Sequence, residues 1–286
     1  MATTIGVVCK PHTTDAVGIA ELLLSIVPHA RLLVEREGPH ALENHNTAYI
    51  GVDRTEFEQA SDLVVAFGGD GTLIHAASLL TQRVVPVLGV NLGRVGFLAE
   101  VLRAELNSLL PRALAGELPY TDRLRLDAKI IRNGAVRLQK RILNDAVVAQ
   151  LALSRVALYR VNLNDELVTV LRGDGVIIAT PTGSTAYSMA AGGSILAPDI
   201  AAIALTPICP HALSQRPLVL PIDGIIKVFL DSDSKVFVTL DGQFGQEFQS
   251  GDILEITAAP IPLRLLHMPG RSYFEILRKK LSWGES

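Results

Sequence analysis

The chain has 286 residues, 49% of them hydrophobic and 19% charged, and its formal net charge is -3. That length accommodates one large domain or two modest ones, each with its own core. With no block of like charge, neither nucleic acid nor a membrane surface is an expected partner. The two cysteines, Cys9 and Cys209, fit no metal-ligand spacing and are expected as two reduced, buried thiols of a cytosolic protein. The opening MATTIGVVCKP has no basic start followed by a long apolar run, so no signal peptide is expected. Gly175 to Pro198 carries no charge, but Pro181, Gly183, Gly192, Gly193 and many hydroxyls argue against a membrane span. The sequence predicts a cytoplasmic protein.

The first hundred residues alternate between strand and helix patterns. Ile5 to Cys9 predicts a strand, Asp15 to Val27 a helix, Ala30 to Glu35 a second strand and Asp62 to Phe67 a third. An amphipathic helix is predicted over Thr72 to Leu80 and another buried strand over Val84 to Val90. Short apolar runs separated by helices predict a parallel sheet covered on both faces, an open α/β (Rossmann-like) domain.

The third strand runs into VVAFGGDGTLIHAA, Val64 to Ala77. Gly68, Gly69 and Gly71 allow backbone to approach a ligand closely. Thr72 is expected to cap the following helix, turning its first N–H groups and positive dipole end to the loop. That is an anion cradle with a carboxylate, Asp70, at its centre. The pattern is neither GxGxxG nor GxxxxGK[ST].

After about Tyr120 the texture changes. LRLDAKIIRNGAVRLQKRILND predicts a hairpin turning at Asn133-Gly134. VALYRVNLNDELVTVLRGDGVIIAT predicts a second, turning at Asn164-Asp165, and IIKVFLDSDSKVFVTLDGQ a third. This half is expected to be antiparallel, a β-sandwich-like domain. The closing SYFEILRKKLSWG resumes a helical period, with Phe274, Leu277 and Leu281 on one face, and is expected to pack on the α/β half. The predicted domains are therefore residues 1–120 with about 268–286, and residues 121–267.

Two segments of the β half carry polar chemistry. In ILNDAVV, Asn144 offers the donor-acceptor pair that matches an adenine edge, and Asp145 can accept from paired ribose hydroxyls. A plain Asn-Asp turn is the competing reading. In GDGVIIATPTGSTAYSMAAGGS, Gly173 to Ser194, Thr182 or Ser184 is expected to cap a short helix closed by Gly192-Gly193. Tyr187 there offers either a stacking face or a core ring with a bonded hydroxyl.

Together GGDGT, the NLGxxGF of Asn91 to Phe97, Asn144-Asp145, GDGxxxATPTGSTAYS, CPHALSQRPLVLP and FEILRKKLSWGE resemble the bacterial NAD kinases over nearly the whole chain. GGDGT alone is also similar to diacylglycerol kinases and phosphofructokinases. The resemblance implies transfer of a phosphoryl group from ATP, or from polyphosphate, to the 2′-hydroxyl of the adenosine ribose of NAD. It implies an α/β domain joined to a β-sandwich-like one, and a homodimer or homotetramer. Asp70 is implied as the proton acceptor, with Gly71 beside NAD and Gly68, Gly69, Gly71 and Thr72 forming the phosphate-donor loop. Asn144 and Asp145 would hold the adenosine portion, and Arg172 and Asp174 would approach NAD, the latter from a neighbouring subunit. Thr185, Ala186, Tyr187, Ser188, Met189 and Ala190 would line the dinucleotide pocket. His75, Arg155 and Gln243 carry over as further contacts, with a core or surface histidine and a solvated arginine as the competing readings. Position 145 is Asp where the family usually has Glu, one methylene longer. Mg²⁺ or another divalent metal is implied as cofactor, held mainly by nucleotide phosphates and water because no dedicated carboxylate cage is visible.

Overall fold

A computed structural model describes residues 3–36, 48–93, 96–150 and 156–283. The chain divides into two compact units, Met1–Asp122 with Leu263–Ser286, and Arg123–Pro262. Among the described residues no helix is long and apolar enough to cross a membrane.

The first unit begins with β1 (Thr4–Cys9), α1 (Ala16–Ile26), β2 (Arg31–Glu35), β3 (Tyr49–Val52), α2 (Arg54–Ala60) and β4 (Leu63–Phe67). It continues through α3 (Asp70–Leu79), β5 (Pro86–Asn91), β6 (Val101–Leu102), α4 (Leu106–Leu114) and β7 (Tyr120–Arg123). The strands lie in the order β3-β2-β1-β4-β5, all parallel, with β6 also paired to β5. β1 and β4 are buried at every position, as strands covered by helices on both faces must be. Ile5, Val7 and Cys9 pack with Leu23 of α1 and Leu106 of α4 on one face. α2 and α3 contact the sheet and each other elsewhere. The Asp53 carboxylate accepts from the Glu56 amide at 2.9 Å and fixes the start of α2.

The second unit holds β8 (Leu126–Arg132), β9 (Ala135–Ile142), β10 (Asp145–Gln150), β11 (Ala157–Leu163), β12 (Glu166–Gly173), β13 (Gly175–Ala179) and α5 (Tyr187–Ala190). Then follow β14 (Ala202–Ile208), β15 (Leu218–Pro221), β16 (Ile226–Leu230), β17 (Val236–Leu240), β18 (Phe244–Phe248) and β19 (Ile253–Ala258). They form two antiparallel sheets, ordered β15-β14-β13-β10-β17-β18 and β12-β11-β16-β19-β8-β9. Val148 and Ile178 of the first sheet share one core with Val161 and Leu254 of the second. The other face of β10 and β13 is also covered, with Val147, Ile177 and Ala179 packed on Leu196. That double burial explains why both strands read as unbroken apolar runs.

Asn133 and Gly134 turn the β8–β9 hairpin with φ of 51° and 73°, and Asn164 and Asp165 turn β11–β12 at 50° and 66°. The third predicted hairpin does not exist. β16 lies between β11 and β19, whereas β17 lies between β10 and β18, in the other sheet. Both strands bury alternate residues, and that pattern is the same whether the link folds back or crosses a sandwich. The hairpin partner of β17 is β18, through Asp241 and Gly242 at φ 53° and 65°.

The chain then returns to the first unit as β20 (Leu263–Leu266) and α6 (Tyr273–Leu281). β20 runs parallel to β5 and sits between β5 and β7. The Arg264 guanidinium grips Asp122 with bonds of 2.9 and 2.8 Å and lies 4.2 Å from the centre of the Tyr120 ring. α6 belongs to the α/β unit as expected, but it buries Ile276 and Leu277 and leaves Phe274 60% exposed. Of the two thiols, Cys9 is buried and Cys209 exposed.

Candidate functional site

In the α/β unit the sheet changes direction between β1 and β4: the chain leaves β1 for β2 on one side and β4 for β5 on the other. Ligands of open α/β sheets bind beyond the carboxyl ends of strands at such a point. GGDGT follows β4 there, and Lys10 follows β1, its amide donating to the Phe67 carbonyl at 2.9 Å.

The helix after the loop starts two residues earlier than predicted. Gly69 is its N-cap, and Asp70 stands in the first turn of α3, where the helix dipole favours a negative charge. Thr72 is therefore inside the helix and does not cap it. It is buried, and its Oγ1 lies so close to Gly68 that a Cβ there would sit 2.1 Å away. Gly69 and Gly71 leave open space where a side chain would otherwise stand.

The Asp70 carboxylate accepts three consecutive backbone amides. Oδ2 takes the Phe97 amide at 3.0 Å, and Oδ1 takes those of Leu98 and Ala99 at 3.0 and 3.1 Å. Gly96 permits this approach, since a Cβ on it would fall 2.0 Å from Oδ1. A carboxylate offers about four lone-pair positions, so the arrangement fixes Asp70 and leaves Oδ2 able to accept one more donor.

His75, one turn further along α3, is buried, and its Nε2 lies 2.8 Å from Glu35 Oε2. The other Glu35 oxygen accepts from Arg54 Nε at 2.8 Å. Burial works against the charge on Glu35, but His75 and Arg54 outweigh it and hold the carboxyl below the usual range. The structure thus sets His75 in a hydrogen-bonded network with Glu35 of β2 and Arg54 of α2.

In the β unit, Asn144 and Asp145 stand at the entry to β10. Their amides, with that of Leu143, converge on Asp241: Leu143 N donates to Oδ2 at 2.8 Å, while Asn144 N and Asp145 N donate to Oδ1 at 2.7 and 3.1 Å. The Asp241 amide answers by donating to the Asp145 carbonyl at 2.9 Å. From the opposite side Thr180 donates its amide to the Asn144 carbonyl at 2.8 Å and its hydroxyl to the Leu143 carbonyl at 2.6 Å. Gly183 packs on the same backbone, where a Cβ would lie 2.0 Å from the Asn144 carbonyl oxygen. Asn144 Oδ1 is enclosed and has no protein partner among the described residues. Burial, then the nearby Asp241 charge, pushes the Asp145 carboxyl up to about 7. Burial raises Asp241 to about 6 against its three amide donors and Arg125.

Neither Thr182 nor Ser184 caps α5, a single turn without a side-chain cap. The Ser184 hydroxyl instead donates to the Pro181 carbonyl at 2.6 Å and accepts the Leu196 amide at 2.9 Å. Gly192, at φ 84°, does close the turn. Thr185, Ala186, Met189 and Ala190 are partly or fully exposed, and Tyr187 is 48% exposed, so its ring is not a core ring. Ser188 is fully buried, bonded to Thr206 Oγ1 at 2.8 Å. Arg172 and Asp174 flank Gly173, both exposed, at the junction of β12 and β13. Gln243 is exposed on the β17–β18 turn, and Arg155 lies outside the described residues. Sequence reasoning missed Asp241, Gly96 and the amides of 97–99. The Asp-Gly pair at 241–242 was the one available signal for the first. Among the described residues no group of three or more His, Cys, Asp or Glu side chains is placed to hold a metal.

The fold is that of dinucleotide kinases of known structure. A yeast NADH kinase solved with NADH matches with a TM-score of 0.88 and 25% identity, covering 100% of this chain and 89% of that one. An NAD kinase from Archaeoglobus fulgidus solved with ATP matches with a TM-score of 0.75 and 25% identity, covering 98% and 99%. In sequence, residues 5–118 match the ATP-NAD kinase N-terminal domain and residues 143–268 the ATP-NAD kinase C-terminal domain. The NAD kinase of Citrifermentans bemidjiense is 42% identical over 285 residues, and that of Geobacter sulfurreducens 40% over 282, each covering 98% of this chain and 99% of the relative. The chain belongs to the NAD kinase family.

Proposed function

We propose that this chain transfers the terminal phosphoryl group of ATP, or of polyphosphate, to the 2′-hydroxyl of the adenosine ribose of NAD, giving NADP in the cytoplasm. The observation that carries the reading is the Asp70 carboxylate, fixed by three amides with one oxygen still able to accept a donor, in a chain whose relatives are NAD kinases. Phosphoryl transfer asks for positioning and charge neutralisation more than covalent help. Gly69 and Gly71 give donor phosphates backbone access at the start of α3. Asp70 orients the acceptor hydroxyl and takes its proton as the new P–O bond forms. Asn144 reads the adenine edge, and Asp145 accepts from the ribose. Arg172, Asp174 and the Thr185–Ala190 turn complete the dinucleotide contacts, with Asp174 acting on a neighbouring subunit of a homodimer or homotetramer. A divalent cation would be held by the donor phosphates and water rather than by a carboxylate cage among the described residues of this chain, and would supply neutralisation of the phosphate charge.

A positioned base contributes roughly 10²–10⁴-fold, or about 3–5 kcal/mol of barrier. Purified protein given ATP and NAD is expected to release ADP and NADP. Asp70→Asn should stay folded and lose turnover by about that factor. Near wild-type rates in that variant would remove Asp70 from the chemistry. Asn144→Ala should raise KM for NAD with a smaller effect on KM for ATP, and weakening of ATP alone would move Asn144 to the donor site.

A further inference from the structure

Asp241 has no place in the chemistry described above, yet its carboxylate bonds directly to the backbone of the proposed dinucleotide residues Asn144 and Asp145. Its two oxygens collect the amides of Leu143, Asn144 and Asp145 within 2.7–3.1 Å. Three consecutive amides on one carboxylate define the path of the backbone through the Asn-Asp pair. They also set the direction in which both side chains leave the chain. The carbonyl side of the same peptides is bound by Thr180 and backed by Gly183, so Asp241 supplies the amide half of a two-sided clamp. Building a turn does not require this. The β17–β18 turn needs only positive φ at 241 and 242, which Asn or Gly supplies equally well.

We propose that Asp241 is a positioning residue for NAD: it holds Asn144 and Asp145 in the orientation that binds the adenosine portion, without touching the substrate itself. This rests on the NAD kinase reading of the site. The clamp also has an electrostatic side. Asp241 brings a carboxylate close to Asp145, and Arg125, ahead of β8, is the cation that bears on Asp241. Across the β10–β13 ladder the residue paired with Asp145 is the uncharged Ala179.

Asp241→Asn and Asp241→Gly test the proposal, because both keep the turn. In Asn one oxygen becomes an NH₂ group that cannot accept the Leu143 or the Asn144 and Asp145 amides, and Gly removes the clamp. KM for NAD should rise roughly ten- to hundredfold, what the loss of a hydrogen bond to a charged group corresponds to. KM for ATP should change by no more than about threefold, within the context dependence of such contacts. The acid limb of kcat/KM for NAD should move to lower pH, because Asp145 no longer faces a second carboxylate. A cooperative melt verifies folding. Unchanged KM for NAD in folded variants, equal losses for NAD and ATP, or failure of both variants to fold would each overturn the proposal. Wild-type protein that makes no NADP would instead overturn the kinase reading.

Discussion

Asp70 and Asp241 use one device in two different units: a single carboxylate gathers three successive backbone amides. Asp70 was conspicuous in the sequence because a negative charge stood in a glycine loop. Its partners lie 27 to 29 residues further on; the NLGxxGF motif that ends at Phe97 marked the segment, but an amide carries no residue-type signature, so its contact with Asp70 was not legible. Asp241 was silent for the same reason, although Asp241-Gly242 is itself a strong turn signal. Asp145 is where burial has the largest consequence at this scale. Its folded carboxyl titrates at about 7, well above the ordinary aspartate value of about 3.9. The folded state therefore binds the proton more tightly, and stability should fall as pH rises between about 4 and 7. NAD binding should respond in the opposite sense, because two ribose hydroxyls need the ionised acceptor, so KM for NAD should climb below about pH 7. Asp145→Asn should flatten the pH dependence of KM for NAD in initial rates and leave in melting curves only the fall contributed by the buried Asp241.

At the scale of elements, the apolar runs identified four of the parallel strands, β1, β2, β4 and β5, but not the short β3 and β6, and turn signals identified two of the hairpins, since Asn-Gly and Asn-Asp fix a tight turn locally. It failed at 226–240, where pairing is decided by which sheet each strand joins, a long-range matter. The start of α3 was misplaced because Gly69, not a hydroxyl residue, is the cap. His75 was open as either a further NAD contact or a core or surface histidine, but α3 is buried at most positions, and its polar side chain had to find a partner. Glu35 on β2 is that partner, joined by Arg54 at the start of α2. Glu35→Gln should lower stability by about 2 kcal/mol, the range for hydrogen bonds to a charged group, read as a lower Tm at pH 7. Because the Glu35 carboxyl is held below its usual range, its contribution is complete above the ordinary glutamate value and is lost as pH falls through the lowered one. Wild type and variant should therefore converge in acid. A constant gap down to pH 3 would mean the charge is irrelevant.

For the whole molecule, the fold class was legible because two textures, one alternating strand with helix and one alternating apolar with polar, follow each other in the chain. That the last segment completes the first sheet was legible only as an expectation that a lone helix must pack somewhere. Its strand, β20, was not foreseen: LRLL is too short to carry a period. Yet β20 fills the position between β5 and β7. Truncation after Pro262 should accordingly unfold the α/β unit while the antiparallel unit keeps its melt. Proteolysis should then cut before residue 122 and spare 123–262. Resistance of residues 4–122 to protease would refute this.

The late arrival of β20 also bears on synthesis. As the nascent chain leaves the ribosome, the α/β unit appears first, but until the whole of 123–262 has followed its sheet lacks β20 and, with it, the neighbour on which β7 pairs. At roughly 5–20 residues per second that delay is on the order of ten seconds. During it the part of the β5 edge that β20 will cover, at Pro86 and Val87 and beyond the short pairing with β6, presents unpaired backbone groups to any passing strand. The unit made first is thus the last to complete its sheet.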